Sequence, residues 1–299
     1  MASESFAAFV DVDGYRVRYR TTGTGRPVVL LHGTGRSLED WEPLRAALPA
    51  RRLIALDLAG FGRAQPLPDL RLGALAEHVA KTLDRLGATA PAHVVGNSLG
   101  GAVAMRLAVH DPARVTSLAL ADSAGFGREV TWLLRALDLP VLWRFLLRPD
   151  EYGARTAERS LFHDPAFATP DRIALARELA RRPDAARTTR QVARALGSLS
   201  GVRADRRGNL LAAVEALDIP TLVVWGDRDR ILPAAHLTHA ATALPRARTH
   251  LFARTGHLPQ IERAAEFAAL LDEFWADWSG CRSVPYAVRS ASRGRGGRG

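Results

Sequence analysis

The sequence predicts an α/β fold, with a mostly parallel sheet, helices on both of its faces, and a group of helices inserted between two strands. Three observations carry this. Short apolar, β-branched segments alternate with helix-length segments through about residue 121, the pattern of successive strand–helix units. The alternation fails between about residues 126 and 217, a stretch rich in Arg and Ala and broken at Pro140, Pro149, Pro165, Pro170 and Pro183. It resumes with Thr221-Leu222-Val223-Val224-Trp225 and a short strand running from about Arg248 to Phe252. A chain of 299 residues is long enough to bury a large core as one domain carrying an insertion.

Taken in order, Phe9–Val12 and Tyr15–Tyr19 flank Asp13-Gly14, a tight hairpin signal. Val28-Val29-Leu30 and Leu53-Ile54-Ala55-Leu56 read as buried strands. From about Leu70 to Leu86 the apolar residues Leu72, Leu75, Ala76, Val79, Leu83 and Leu86 recur at helical spacing. The strand Ala92-His93-Val94-Val95 is followed by Gly96-Asn97-Ser98-Leu99-Gly100 and a small-residue helix that Asp111-Pro112 stops. Val115 to Leu120 forms the next strand. The inserted stretch begins with an unusually apolar part, including Trp132, Trp143 and Phe145, which either packs on the main domain or lines a substrate pocket. The expected division is a core of residues 1–125 and 216–278, an inserted helical part at 126–215, and an Arg/Gly-rich tail at 279–299. That tail lacks the apolar residues to fold and is expected to be disordered.

Gly-x-Ser-x-Gly between a strand and a helix is the sequence form of a nucleophile elbow. The turn is so sharp that only glycines at its flanks let strand and helix pass. It holds the Ser98 hydroxyl at the carboxyl edge of the sheet, over the positive end of a helix. A serine needs a base, and the base needs an acid to orient it. An acid loop, Gly226-Asp227-Arg228-Asp229, and then Gly256-His257 stand just past successive strands, on the same sheet edge as Ser98. Asp227 competes with Asp229 for the acid, and Asp122 after the Val115–Leu120 strand could serve in a variant arrangement.

These residues resemble the α/β-hydrolase fold family of serine hydrolases, and the likeness covers about residues 9 to 278. It also rests on Leu31-His32-Gly33-Thr34-Gly35 and on Asp57-Leu58-Ala59-Gly60-Phe61-Gly62. The resemblance implies an eight-stranded sheet with a helical cap, and a catalytic triad of Ser98, Asp229 and His257. The backbone N–H groups of Thr34 and Leu99 would form the oxyanion hole. His32 is expected to brace the oxyanion loop, since the base follows the acid in chain order. The other seven histidines have no motif context. Arg63-Ala64 after Gly62 departs from the small polar residue common in relatives, and reshapes at most the pocket rim.

Composition narrows the alternatives. The net charge of +10 comes almost wholly from arginine, with Lys81 the only lysine. Five arginines lie in the tail, and without them the remainder carries about +5. No aromatic platform accompanies the tail, so no nucleic-acid partner is expected. No run of ~20 apolar residues exists, so no membrane span is expected. The start lacks a secretory pattern and Cys281 is the only cysteine, which fits a reducing cytoplasm. No cofactor and no metal are expected, because the triad chemistry needs neither.

The first functional expectation is a carboxylesterase-like hydrolase of a small to medium apolar ester. The alternative is hydrolysis of a carbon–carbon bond in an aromatic ring-cleavage product. Asn97 before Ser98 resembles that subfamily's Gly-Asn-Ser elbow, and Arg177 falls where those enzymes hold an arginine against the substrate. Against it, Leu258 follows His257 where those enzymes usually carry an aromatic residue. Substrate contacts are therefore expected from Asn97, Trp143, Arg177 and Leu258. A ligand-binding scaffold without catalysis is the third reading.

Overall fold

The computed structural model describes residues 7–127, 150–198, 201–202 and 204–279. Trp143 with the apolar start of the insertion, and the Arg/Gly-rich end beyond 279, lie outside the described residues.

Eight strands make one sheet: β1 (Ala8–Val12), β2 (Tyr15–Thr22), β3 (Pro27–Leu31), β4 (Arg52–Leu56), β5 (Ala92–Asn97), β6 (Val115–Ala121), β7 (Thr221–Gly226) and β8 (Arg248–Phe252). In these labels the strand order is β1-β2-β4-β3-β5-β6-β7-β8. The first two strands pair antiparallel through Asp13 and Gly14, both at positive φ (+54° and +84°), as a two-residue hairpin requires. From β4 to β8 every pairing is parallel, so each connection must cross over a face of the sheet.

Parallel strands covered on both faces read as continuous apolar runs, because residues alternate between two cores. Val29, Leu31, Val94, Leu120 and Trp225 face one core, shared with helix α2 (Leu72–Arg85) and helix α3 (Leu99–His110). Their neighbours Val28, Leu30, Val95, Leu222 and Val224 face the other, which holds Trp41, Leu44 of the short helix α1 (Glu42–Ala47), Phe267, Leu271 and Phe274. The last three belong to the C-terminal helix Ala264–Ser279.

The segment between β6 and β7 contributes helices α4 (Glu151–Ser160), α5 (Pro170–Ala180), α6 (Ala185–Leu196) and α7 (Ala204–Ala216). Asp150 caps α4 by accepting the Gly153 N–H at 2.6 Å, and Thr169 with Pro170 starts α5. A minimal antiparallel pair, Gly197–Ser198 with Gly201–Val202, also lies here, where the sequence shows no strand. Two residues per strand leave no periodicity to read.

His93 of β5 illustrates how the second core constrains protonation. Its ring stacks on Trp275 with centroids 4.9 Å apart, and Nδ1 meets Ser117 Oγ at 2.8 Å. Burial, with Arg26 and Arg51 adding to it, lowers its pKa from 6.5 to about 4. A base depressed on folding stabilises the native state fully above pH 6.5, and loses that contribution as pH falls towards 4. The stability difference between the protein and His93→Gln should therefore shrink by up to ~1.4 kcal/mol per pH unit over that window. Urea unfolding at a series of pH values checks this. A difference that stays constant from pH 7 to 4 would refute it.

Candidate active site

Ser98 sits between β5 and α3 at φ +54° and ψ −118°, outside the regions a non-glycine residue normally adopts. The flanks explain why the turn needs glycine. A Cβ on Gly96 would lie 2.4 Å from Gly100 O, and one on Gly100 would lie 2.0 Å from Leu31 O. Ser98 is held by its own backbone: its N–H donates to Ala121 O at 3.1 Å, and its carbonyl accepts from Gly101 and Ala124. Leu99 opens α3, so its N–H belongs to the first turn, which has no preceding helical carbonyl to reach.

His257 and Asp229 meet across two loops. His257 Nδ1 donates to Asp229 Oδ2 at 2.7 Å, and both side chains are buried. The other carboxylate oxygen accepts the N–H groups of Ile231 (2.7 Å) and Leu232 (3.0 Å), which fix its plane. Asp227 instead accepts the Thr255 N–H at 3.1 Å and lies 3.5 Å from Arg228. Asp122 lies behind the pair: one polar atom from each of Asp122, Asp229 and His257 falls within 4.8 Å of the others. Among the described residues this is the one set of His and carboxylate side chains close enough to share a metal ion. The Asp229 and His257 members are already bonded to each other.

A cavity of about 320 Å³ opens above Ser98 and His257. Thr34, Asn97 and Leu258 also line it, whereas Arg177 does not. The reason is helical phase. Ala176, Leu179 and Ala180 present the i, i+3, i+4 face of α5 to the cavity, and Arg177 is rotated about 100° away from Ala176. Its guanidinium meets Glu151 at 3.4 Å instead. Asn97 does more than line the wall: its amide donates to Ala121 O (3.1 Å) and to His257 O (3.0 Å), tying the elbow to the histidine loop. Leu258 is fully buried and packs with Phe162, Ala168 and Ile261.

The loop carrying Thr34 is braced from below. His32 Nδ1 donates to Gly33 O at 2.8 Å while Nε2 accepts the Leu58 N–H at 3.0 Å. Burial lowers the His32 pKa despite the nearby Asp57, which keeps this neutral arrangement. Asp57 in turn accepts from Arg18 and from the Leu38 and Arg63 amides.

Several residues at the site have no signal in the sequence. Arg36 bonds Asp40 on its own loop and reaches Glu158 on α4; Arg172 of α5 meets Asp40 at 3.2 Å. Burial alone would raise the Asp40 carboxyl, but Arg36 and Arg172 hold it below its ordinary value. Arg182 reaches the cavity wall and donates to the carbonyls of Gly62 and Ala64. Glu262 accepts the N–H groups of His163 (3.0 Å), Asp164 (3.1 Å) and Gly256 (2.5 Å), and the His257 N–H donates to Leu161 O at 2.7 Å. These four bonds join the end of α4 to the histidine loop. Most of these contacts join residues about 96 to 132 positions apart, and the arginines sit among many similar ones, so no local pattern marks them.

Residues 26–264 match the family described as alpha/beta hydrolase fold. A 2-hydroxymuconate semialdehyde hydrolase of Pseudomonas sp. strain CF600 is 32% identical over 286 residues, covering 88% of this chain and 92% of the relative. The acetyltransferase component of the acetoin cleaving system of Cupriavidus necator is 36% identical over 277 residues, covering 88% of this chain and 67% of that protein. The corresponding component from Pseudomonas putida is 35% identical, and the match spans 65% of its length. Among solved structures, a meta-cleavage product hydrolase from Pseudomonas fluorescens IP01 superposes with a TM-score of 0.76 at 26% identity. That superposition covers 90% of this chain and 97% of the other.

Proposed function

Because the chain belongs to the α/β-hydrolase fold family, we propose that it hydrolyses a carbon–carbon bond in a ring-cleavage product, with Ser98, His257 and Asp229 as its triad. The observation that carries the triad is the 2.7 Å contact of Asp229 with His257 Nδ1, beside a strained serine on the same cavity. With Nδ1 committed, Nε2 is the ring nitrogen left to take the Ser98 proton. Ser98 Oγ adds to the substrate carbonyl, and the Thr34 and Leu99 N–H groups receive the negative charge on its oxygen. Collapse expels the carbon leaving group, which takes the proton back from His257, and water then releases the acyl group from Ser98.

The choice of bond is supported by the relatives named as 2-hydroxymuconate semialdehyde hydrolases, which match over almost their whole length. Ester hydrolysis by the same three residues is the second reading, favoured by the wall of Gly153, Ala154, Ala157 and Leu179, which is small and apolar. Both readings take a small carbonyl substrate. No described helix is long and apolar enough to cross a membrane.

The arginines separate the two reactions. A ring-cleavage product carries a carboxylate, and the arginines on the cavity wall are Arg36, which is paired with Asp40 and Glu158, and Arg182; Arg177 is not among them. Arg182→Gln should cost ~10- to 100-fold in kcat/KM on a dienoate, the scale of a lost hydrogen bond to a charged group. It should cost much less on a neutral p-nitrophenyl ester. Arg177→Gln, with its exposed partner Glu151, should be nearly silent on both substrates. Turnover of p-nitrophenyl esters with none of a ring-cleavage dienoate would replace the first reading with the second.

A further inference from the structure

Asp122 follows the last residue of β6 and holds φ +45°, a left-handed conformation that a non-glycine residue keeps only where its surroundings impose it. Its side chain is wholly buried. One carboxyl oxygen, Oδ1, accepts the Gly226 N–H at 2.9 Å, at the end of β7. The other, Oδ2, receives no N–H or O–H donor. Beside this carboxyl, with one oxygen of each within 4.8 Å, lies the Asp229 carboxylate, whose oxygens are taken up by Ile231, Leu232 and His257. Glu262 is the next acidic group, and it is occupied by three backbone N–H groups. Among the described residues no arginine or lysine pairs with either aspartate. Two charged carboxylates at this separation, away from water and, among the described residues, paired with no basic side chain but His257, would repel strongly. Burial and the neighbouring Asp229 push the Asp122 carboxyl well above the ordinary carboxylate range.

We propose that Asp122 is a positioning residue for the acid–histidine pair, kept protonated at neutral pH so that its O–H donates to the Asp229 carboxylate. One proton then satisfies the otherwise unpartnered Oδ2, and the two carboxyls together carry a single negative charge. The Asp229 carboxylate is held from three sides, by Asp122, by the Ile231 and Leu232 amides, and by His257. The extra donor also lowers its tendency to take the imidazole proton for itself. This rests on reading Asp229 as the group that orients His257.

Infrared difference spectroscopy on the full chain tests the protonation without reference to turnover. A protonated-carboxyl C=O band is expected at pH 7 in the protein and in Ser98→Ala, and its loss is expected in Asp122→Asn. Absence of any such band at pH 7, or its persistence in Asp122→Asn, overturns the proposal. Kinetics tests the positioning. Asp122→Leu, which removes the donor, should lower kcat by ~10- to 100-fold and move the acid limb of the pH profile upward. KM should change less than kcat. Asp122→Asn keeps an N–H donor to Asp229 and a carbonyl for Gly226, and should recover at least half of that loss on a logarithmic scale. If Asp122 were charged, Asp122→Asn would remove a negative charge beside the imidazole and move the acid limb to lower pH. That result, or unchanged kinetics in both variants, sinks the idea. A band that behaves as expected in a protein whose Ser98→Ala variant stays fully active would leave the shared proton standing and defeat the assigned reaction instead.

Discussion

Ser98→Ala is expected to lower turnover by ~10⁶, the scale seen when a triad nucleophile is removed. The fold should survive, because the elbow is held by backbone bonds to Ala121, Gly101 and Ala124 rather than by the hydroxyl. Its glycine flanks, where any Cβ would collide with backbone, are untouched by the change. Circular dichroism and the thermal midpoint should match the parent protein. A variant that keeps more than a few per cent of the parent's turnover would remove Ser98 from the reaction.

Asp229→Asn should lower turnover by ~10⁴, because an amide facing His257 Nδ1 stabilises the wrong imidazole tautomer. The Asn side chain can still accept the Ile231 and Leu232 N–H groups, so the loop should keep its shape. Asp227→Asn should have little effect, since that carboxylate serves the Thr255 amide and an exposed Arg228. Steady-state rates on one substrate rank the two variants. A larger loss in Asp227→Asn would reassign the acid.

How much of this was legible in the sequence depended on the range of the signal. The hairpin at Asp13-Gly14, the helix near residues 70–86 and the elbow around Ser98 are written in neighbouring residues, and they fold as read, with ends shifted by one to three positions. The sheet followed from the same local patterns, because strands buried on both faces must be apolar throughout. The closeness of Asp229 to His257 was implied by their places after successive strands. Arg177 fared differently: its position in the chain was right for the insertion, but the phase of α5 turns it towards Glu151. Phase of an inserted helix is set by what it docks on, here the Arg172–Asp40 and Arg182 contacts, and those pair residues more than 100 positions apart. The bond to be broken was less legible still. The same triad attacks esters and ketones, so the sequence reading that placed an apolar ester first is supported less well than its alternative once the relatives are considered.

The stitching of His257 to the segment beyond α4 has a mechanical consequence. Leu161 O, together with the His163 and Asp164 amides held by Glu262, shares one short network with Gly256 and His257. Any outward swing of residues 161–164 would pull on the backbone that carries the imidazole, and would strain its 2.7 Å contact with Asp229.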